Sequence, residues 1–411
     1  MAAGFYKTLT HVDGISGLAV PIVLASDTSL RTVANGGKVE DASGFDIRFF
    51  SDAALLVPLD HTMISYVATT GALTAWVQLD ATSAASGTVY MGFGDVLITT
   101  DQSTTATFSV YGTESDDFWL HLEEDPTGGG TIDAVDAGPN TNTFVANANT
   151  ATTHTQEVGV VSNGIKHTTV SGASESYDHP AASQTISDQD FTVSLWAKGH
   201  AANRHPGDKW MLDCQNSGTG RYQFAFQYDY NAAIQGTTEI FAAWHDGGGV
   251  QRTLSFGVDP FLDSAWHMYT MRYDLSTAEV HIYLDGVLVG TDSTNGDIDT
   301  GASLFFMSLG RGIADSGFGR YTFDELRLTG TELDVSWILA EYNSQVDPTV
   351  APANFWTTLG AETATAPPPV VIEMDSVLEL LLDIDSSNLE LAENDMVLTV
   401  LNDFDATIEL G

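Results

Sequence analysis

The sequence predicts an all-β protein of tandem β-sandwiches, on three observations. Short apolar or alternating runs recur along all 411 residues, Gly, Asp, Asn and Thr separate them, and helical periodicity is almost absent. At roughly 100 to 200 residues per domain, a chain of this length divides into two or three domains.

In order, the first block (residues 1–112) carries the runs LAVPIVLA, FDIRFF, MISYVA, LTAWVQL and GTVYMGFG. Each is four to eight residues long and bounded by turn formers, as strands are. The second block (113–346) adds FTVSLWAK, YQFAFQY, EIFAAWHD, HMYTMRYD, EVHIYLDG, SLFFMSLG and YTFDELRL. Asp285-Gly286 between HIYL and VLVG signals a tight hairpin turn with positive φ at the glycine. Trp266 beside it is expected to pack on the sandwich core, with His267 facing outward. TELDVSWILAEYN is the one clear helix, with Thr331 as its expected cap and Leu333, Trp337, Ile338 and Tyr342 along one face. Residues 347–371 read as an extended linker rich in Pro, Ala and Thr. In the tail, 372–411, Asp375, Asp385, Asp395 and Asp405 fall ten residues apart among VLEL, NLEL, VLTV and TIEL cores. Such short β units bury too little to stand alone, so the tail is expected to self-associate, as in a trimer, or to dock as strands on another protein; a flexible acidic extension is the competing explanation.

Fifty-five acids against 14 Lys and Arg give a formal net charge of -41. That field repels phosphate backbones and anionic headgroups, which argues against nucleic-acid binding and membrane docking and fits a high-salt setting. A single cysteine, Cys214, excludes an internal disulfide framework. The opening MAAGFYKTLTHVDG has no basic n-region or apolar core, and no run of 18 apolar residues occurs, so neither classical export nor membrane insertion is expected.

FWLHLEEDPTGGGTIDAVDAGPNTNTFV, DFTVSLWAK with Trp196, SAWHMYTMRYDLSTAEVHIYLDGVLVG and FGRYTFDELRLTGTELDVSWILAEYN occur in that order. Through them the second block resembles the laminin-G-like, or concanavalin A-like, jelly-roll family over about 225 residues. Less closely, LTHVDGISGLAVPIVL, ASGFDIRFFSDAALLVPLDH, LTAWVQLD and GTVYMGFGD resemble an uncharacterised β-rich domain family that often precedes laminin-G-like domains. The resemblance implies a jelly roll and an adhesive module, and in many members one structural Ca²⁺.

Catalysis is not expected. Glycosidases need two carboxylates on one face, and in Glu123-Glu124 and Asp324-Glu325 strand alternation sends neighbours to opposite faces. No His spacing suits zinc, and no nucleotide-binding pattern is present. For Ca²⁺, which takes six to eight oxygens, the expected ligands are Asp133, Asp136 and Asp324, since first and last strands are neighbours in this fold; the same acids also serve as ordinary turn formers. Ligand recognition is expected at rim loops that mix aromatic faces with planar polar groups, as sugar sites do: Trp210, Trp244, His245, Arg252, Arg311, Asp315 and Arg320. Ordinary loop decoration and core tryptophans are the competing explanation.

Tandem sandwiches, an extended connector and a repetitive tail together resemble an accessory protein of a tailed-virus particle. The expected function is a virion surface protein, assembled in the host cytoplasm with other virion proteins as a homo-oligomer and adhering to a host-surface glycan or glycoprotein. The alternatives are a purely structural decoration protein without a ligand, or a cellular surface adhesin.

Overall fold

The computed structural model describes residues 4–104, 109–111, 114, 117–125, 133–146, 154–167, 176–179, 189–200, 210–216, 221–228, 238–293, 298, 305–311, 320–350 and 355–365. Met1–Ala364 forms one compact unit and Thr365–Gly411 another. The acidic β-repeat expected over 372–411 lies outside the described residues.

The first sandwich contains β1 (Phe5–His11), β2 (Ala19–Leu24), β3 (Arg48–Phe50), β4 (His61–Val67), β5 (Ala72–Gln78) and β6 (Thr88–Phe93). One sheet runs β2-β5-β4, and the other places β6 between β1 and β3. Leu73, Ala75 and Val77 point from β5 into the core, while Trp76, between them, is buried on the opposite face. This double burial is why LTAWVQL reads as a continuous apolar run rather than an alternating one.

The second sandwich follows. Its strands are β7 (Phe118–Leu120), β8 (Val145–Ala146), β9 (His154–Val158), β10 (Asn163–His167), β11 (Tyr177–Asp178), β12 (Phe191–Gly199), β13 (Trp210–Asn216) and β14 (Tyr222–Tyr228). Then come β15 (Ile240–His245), β16 (Gln251–Ser255), β17 (His267–Asp274), β18 (Glu279–Leu284), β19 (Val287–Ser293), β20 (Phe305–Leu309) and β21 (Tyr321–Thr329). An eight-stranded sheet, β19-β18-β17-β12-β21-β10-β9 with β7 also on β21, faces a seven-stranded one, β16-β15-β14-β13-β20-β11-β8. Between them lie Phe191, Val193, Leu195, Phe224, Phe226, Ile240, Trp244, Met271 and Leu309, all buried. The architecture is the tandem β-sandwich that the pattern of runs predicts.

Chain order and domain membership part company after the helix. Two further strands, β22 (Trp356–Leu359) and β23 (Thr363–Ala364), pair antiparallel with β1. The segment expected as a linker therefore supplies edge strands to the first sandwich. Phe355 and Trp356 enter that core, and the Trp356 indole N–H donates to Pro21 O (2.6 Å). Proline and threonine are common in extended linkers, and edge strands tolerate them equally well.

The closing helix spans Val335–Val346 and is capped by Asp334, whose carboxylate accepts the Trp337 N–H at 2.8 Å, not by Thr331. It covers the outer face of β12. There the Trp196 indole N–H donates to Gln345 (2.6 Å) and its ring stacks on Tyr342, so Trp196 is buried on the outside of the sheet. Trp266 likewise packs, half-buried, against the core of the first sandwich and helix, and not between the sheets. In the hairpin after it, Asp285 (φ 54°) and Gly286 (φ 75°) both take positive φ, the signature of a type I′ turn. His267 is held between Asp285 (2.7 Å) and Asp263 (2.9 Å), half-buried and not free in solvent.

One buried ion network joins the two sandwiches. Arg327 donates to Glu325 (2.9 Å), Glu341 (3.1 Å) and the Tyr111 hydroxyl (3.3 Å), and its guanidinium lies 4.0 Å from the Trp119 ring centre and 4.8 Å from that of Trp76. Glu325 also accepts the Trp119 indole N–H (2.5 Å) and pairs with His121 (2.8 Å). Burial alone would raise the Glu325 carboxyl, but the His121 and Arg327 charges hold it below the usual range. A bulge makes this possible: β12 slips register between Ser194 and Trp196, and Glu325 sits at φ 48°. The expectation that Asp324 and Glu325 project to opposite faces fails here, since a left-handed residue breaks the alternation. Both are buried and engaged, Asp324 by the Val160 (2.6 Å) and Val161 (3.3 Å) N–H groups, so they form no open acid pair.

Candidate ligand-binding face

Cross-strand register lines up side chains on the outer face of the seven-stranded sheet. One row runs Asp178, Ser308, Asp213, Ala225, Ala243 and Thr253 across six strands. A second pairs Trp210 with Gln227 and Gln227 with Phe241. Because partners in register share a face, Asp178 and Asp213, both opposite Ser308, stand two strand spacings apart, about 10 Å at the backbone.

Around this row the polar groups converge. Asp178 accepts from Ser308 Oγ (2.6 Å) and from Arg311 (2.8 Å), while Asp213 accepts from the Gln215 amide (2.6 Å). Asp213, Gln215, Gln227 and Ser308 are buried, whereas Asp178 and Arg311 remain partly open. The Gln227 Nε2 amide has no hydrogen-bond partner among the described residues. Beside them Trp210, Ala225, Phe241 and Ala243 form an apolar cluster, with Tyr222 against Trp210 (5.6 Å) and His245 against Tyr222 (5.3 Å). Each unpaired buried amide costs about 1–3 kcal/mol, so a polar row of this kind is not what core packing alone selects.

Of the expected rim residues, three share this face: Trp210, His245 and Arg311. His245 Nδ1 accepts the Tyr222 N–H (2.9 Å), which orients the ring. Trp244 does not belong to a rim. It is buried between the sheets, because it is one residue out of phase with His245 on β15. Arg252 lies opposite Trp244 and ends on Asp246 (3.0 Å) at the sheet edge. There the Val250 N–H above all, with Arg252 and the Gly248 N–H, holds the Asp246 carboxyl below the usual range. Arg320 precedes β21 on the opposite sheet, and Asp315 lies outside the described residues. Of the residues missed, Asp213 and Gln215 had one signal, polar side chains two apart that alternate with apolar ones in LDCQ, the mark of a strand with a polar outer face; Asp178, Gln227 and Ser308 had none.

The expected calcium ligands do not converge. Asp133 accepts the Ala146 N–H (3.0 Å), Asp136 those of Trp119 (2.9 Å), Gly138 (2.7 Å) and Asn142 (2.7 Å), and Asp324 those already given. Each carboxylate organises backbone. Among the described residues one other group, Asp190, Asp274 and Glu332, offers three carboxylate oxygens within 4.8 Å of one another. Part of it is already committed: Arg272 pairs with Glu332, and Asp274 accepts the Ser276 (2.8 Å) and Thr277 (3.2 Å) N–H groups.

A family model supports the fold of the second sandwich. Residues 171–339 match a laminin G family model described as the concanavalin A-like lectin/glucanases superfamily. No curated protein matches the chain. Among solved structures, the binding domain of Paraclostridial Mosquitocidal Protein 1 is 15% identical with a TM-score of 0.41, covering 56% of this chain and 52% of that one. The botulinum neurotoxin serotype D ligand-binding domain, solved with N-acetylneuraminic acid, is 12% identical at 0.38 (56% and 51%). Domain 4 of the arabinanase AbnA from Geobacillus stearothermophilus, solved with arabinotriose, is 18% identical at 0.33 (46% and 81%). The chain spans about half the length of the toxin domains it matches.

Proposed function

We propose that this protein is an adhesin on the surface of a virus particle, and that its second sandwich binds a host-surface glycan on the outer face of the seven-stranded sheet. The observation that carries the glycan reading is the partly open pair of Asp178 and Arg311, joined at 2.8 Å at the end of the buried polar row on that face. The Asp178 carboxylate can accept hydrogen bonds from sugar hydroxyls, Arg311 can donate to them, and the half-buried Tyr222 ring can supply an apolar face. A family described by lectins and glucanases is consistent with that chemistry. The role is binding, without turnover.

Glycan-array screening of the full chain tests it. Wild type is expected to retain a defined set of glycans, and Arg311→Ala and Asp178→Asn to weaken that binding at least about tenfold with little change in Tm. Absence of glycan binding, or binding indifferent to both substitutions, refutes the reading and favours a decoration protein without a ligand. For the particle, a labelled copy imaged on intact virions gives the location, and genes for capsid or tail proteins beside this one are expected. Removing the chain from Pro367 onward is expected to lower the mass measured by light scattering, as tail-driven oligomerisation requires.

A further inference from the structure

The outer face of the other sheet carries a second feature. In a chain with 55 acids and 14 Lys and Arg, cations are outnumbered almost everywhere. Lys7, Arg48, Arg252 and Arg311 each take one carboxylate, and Arg327 takes two. Among the described residues, at one end of the eight-stranded sheet the ratio inverts. Lys166 (3.1 Å) and Lys198 (2.9 Å) share the single carboxylate of Glu157, and His200 approaches the same group at 3.6 Å.

Register shows how this is built. Lys166 on β10 and Lys198 on β12 both lie opposite Thr322 on the intervening β21, so the two ammonium groups stand on one face. Thr322 Oγ1 donates to Glu157 (3.0 Å) and bonds His200 (2.7 Å). The Lys198 ammonium sits 5.0 Å from the centre of the Trp266 ring, a cation–π contact that restricts where it can go. Burial lowers His200 below the usual histidine range, with the Lys166, Lys198 and Arg320 charges adding to the effect. Both lysines and Glu157 stay partly exposed, with side-chain exposures of 27%, 17% and 29%.

We propose that Lys166 and Lys198 form an anion-binding site for a carboxylated or sulfated saccharide, with Glu157 as the internal group that its anion displaces or joins. Among the described residues, two ammonium groups against one carboxylate leave an excess positive charge locally, in a molecule whose overall field repels anions. Only a ligand that docks a discrete negative group there gains from it. Glu157 sets the threshold by occupying the lysines in the free protein. This site lies on a different sheet from the row around Asp213 and does not depend on it.

The test is titration of the full chain with lactose, 3′-sialyllactose and 3′-sulfolactose by calorimetry, at low and high salt. Binding of an acidic sugar at least about fivefold tighter than lactose, weakened by salt, is expected. Preference for the sialyl or the sulfo compound tells which anion the site prefers. Lys166→Gln and Lys198→Gln should each remove that preference, and Glu157→Gln should strengthen it about two- to tenfold. A purely structural ion cluster predicts that Glu157→Gln only lowers Tm. Equal affinity for neutral and acidic sugars, or a preference that survives both lysine substitutions, overturns the proposal. Loss of neutral-glycan binding in Arg311→Ala concerns the other face alone.

Discussion

Acid should unlock the second sandwich at a particular pair of histidines. His154 on β9 and His167 on β10 are direct cross-strand partners, buried edge to face with ring centres 4.4 Å apart, beside Tyr177 and Phe323. Gly310 makes room, since a Cβ there would lie 2.1 Å from His167 Cε1. Burial alone brings His154 down to about 4, while burial and the neighbouring His154 push His167 well below the usual histidine value. Below pH 6.5 the unfolded chain takes up protons that the folded one refuses. Stability from the neutral His154 ring is therefore complete above pH 6.5, falls as pH drops toward about 4, and is lost below it; for His167 the fall continues to lower pH. At about 1.4 kcal/mol per pH unit, the gap for His154 amounts to about 3 kcal/mol. Urea unfolding at pH 7 and pH 4 should show wild type losing about that much more than His154→Phe, which keeps an aromatic ring but cannot charge. Imidazole NMR should place the His154 midpoint near 4. Parallel pH profiles for the two proteins, or a midpoint at 6 or above, would refute the reasoning.

Other perturbations follow from the same geometry. Arg327→Met strands Glu325 and Glu341 in a dry interface and should cost about 3–5 kcal/mol, read as a lower Tm. Trp244→Ala should cost a similar amount, about 3–5 kcal/mol, through a cavity between the sheets, so any binding defect it shows should track unfolding. Gly286→Ala must adopt φ 75° and set its Cβ 3.1 Å from Leu339 Cδ1 and Tyr342 Cβ, so denaturant midpoints should fall by the equivalent of about 1 kcal/mol or more. Ending the chain at Ala353 should destabilise the first sandwich, while ending it at Thr365 should not; hydrogen exchange in β1 distinguishes the two.

Much of this fold was legible in the sequence. The runs EVHIYLDG and VLVG predicted β18, β19 and the turn between them, because alternation and an Asp-Gly pair are local properties of backbone and Cβ. Cys214, the charge balance and the scarcity of helical periodicity were equally plain. Other expectations failed where packing decides. The 347–371 segment looked like a linker until β1 offered it an edge. Trp244 looked like a rim residue because it adjoins a glycine-rich loop, yet its phase along β15 points it inward. Asp324 and Glu325 obeyed alternation on paper, but a bulge against β12 turned both into the interface.

What the sequence determined by itself is the set of strands, the hairpin turn, the sandwich class and an acidity that leaves few cations to place. Tertiary structure alone decided which side chains meet. Asp178, Ser308 and Asp213 come together from three strands, as do Lys166, Thr322 and Lys198. Strand propensity acts between neighbours in the chain, whereas sheet register couples residues more than a hundred positions apart. A recognition site built across strands therefore has no contiguous motif to display.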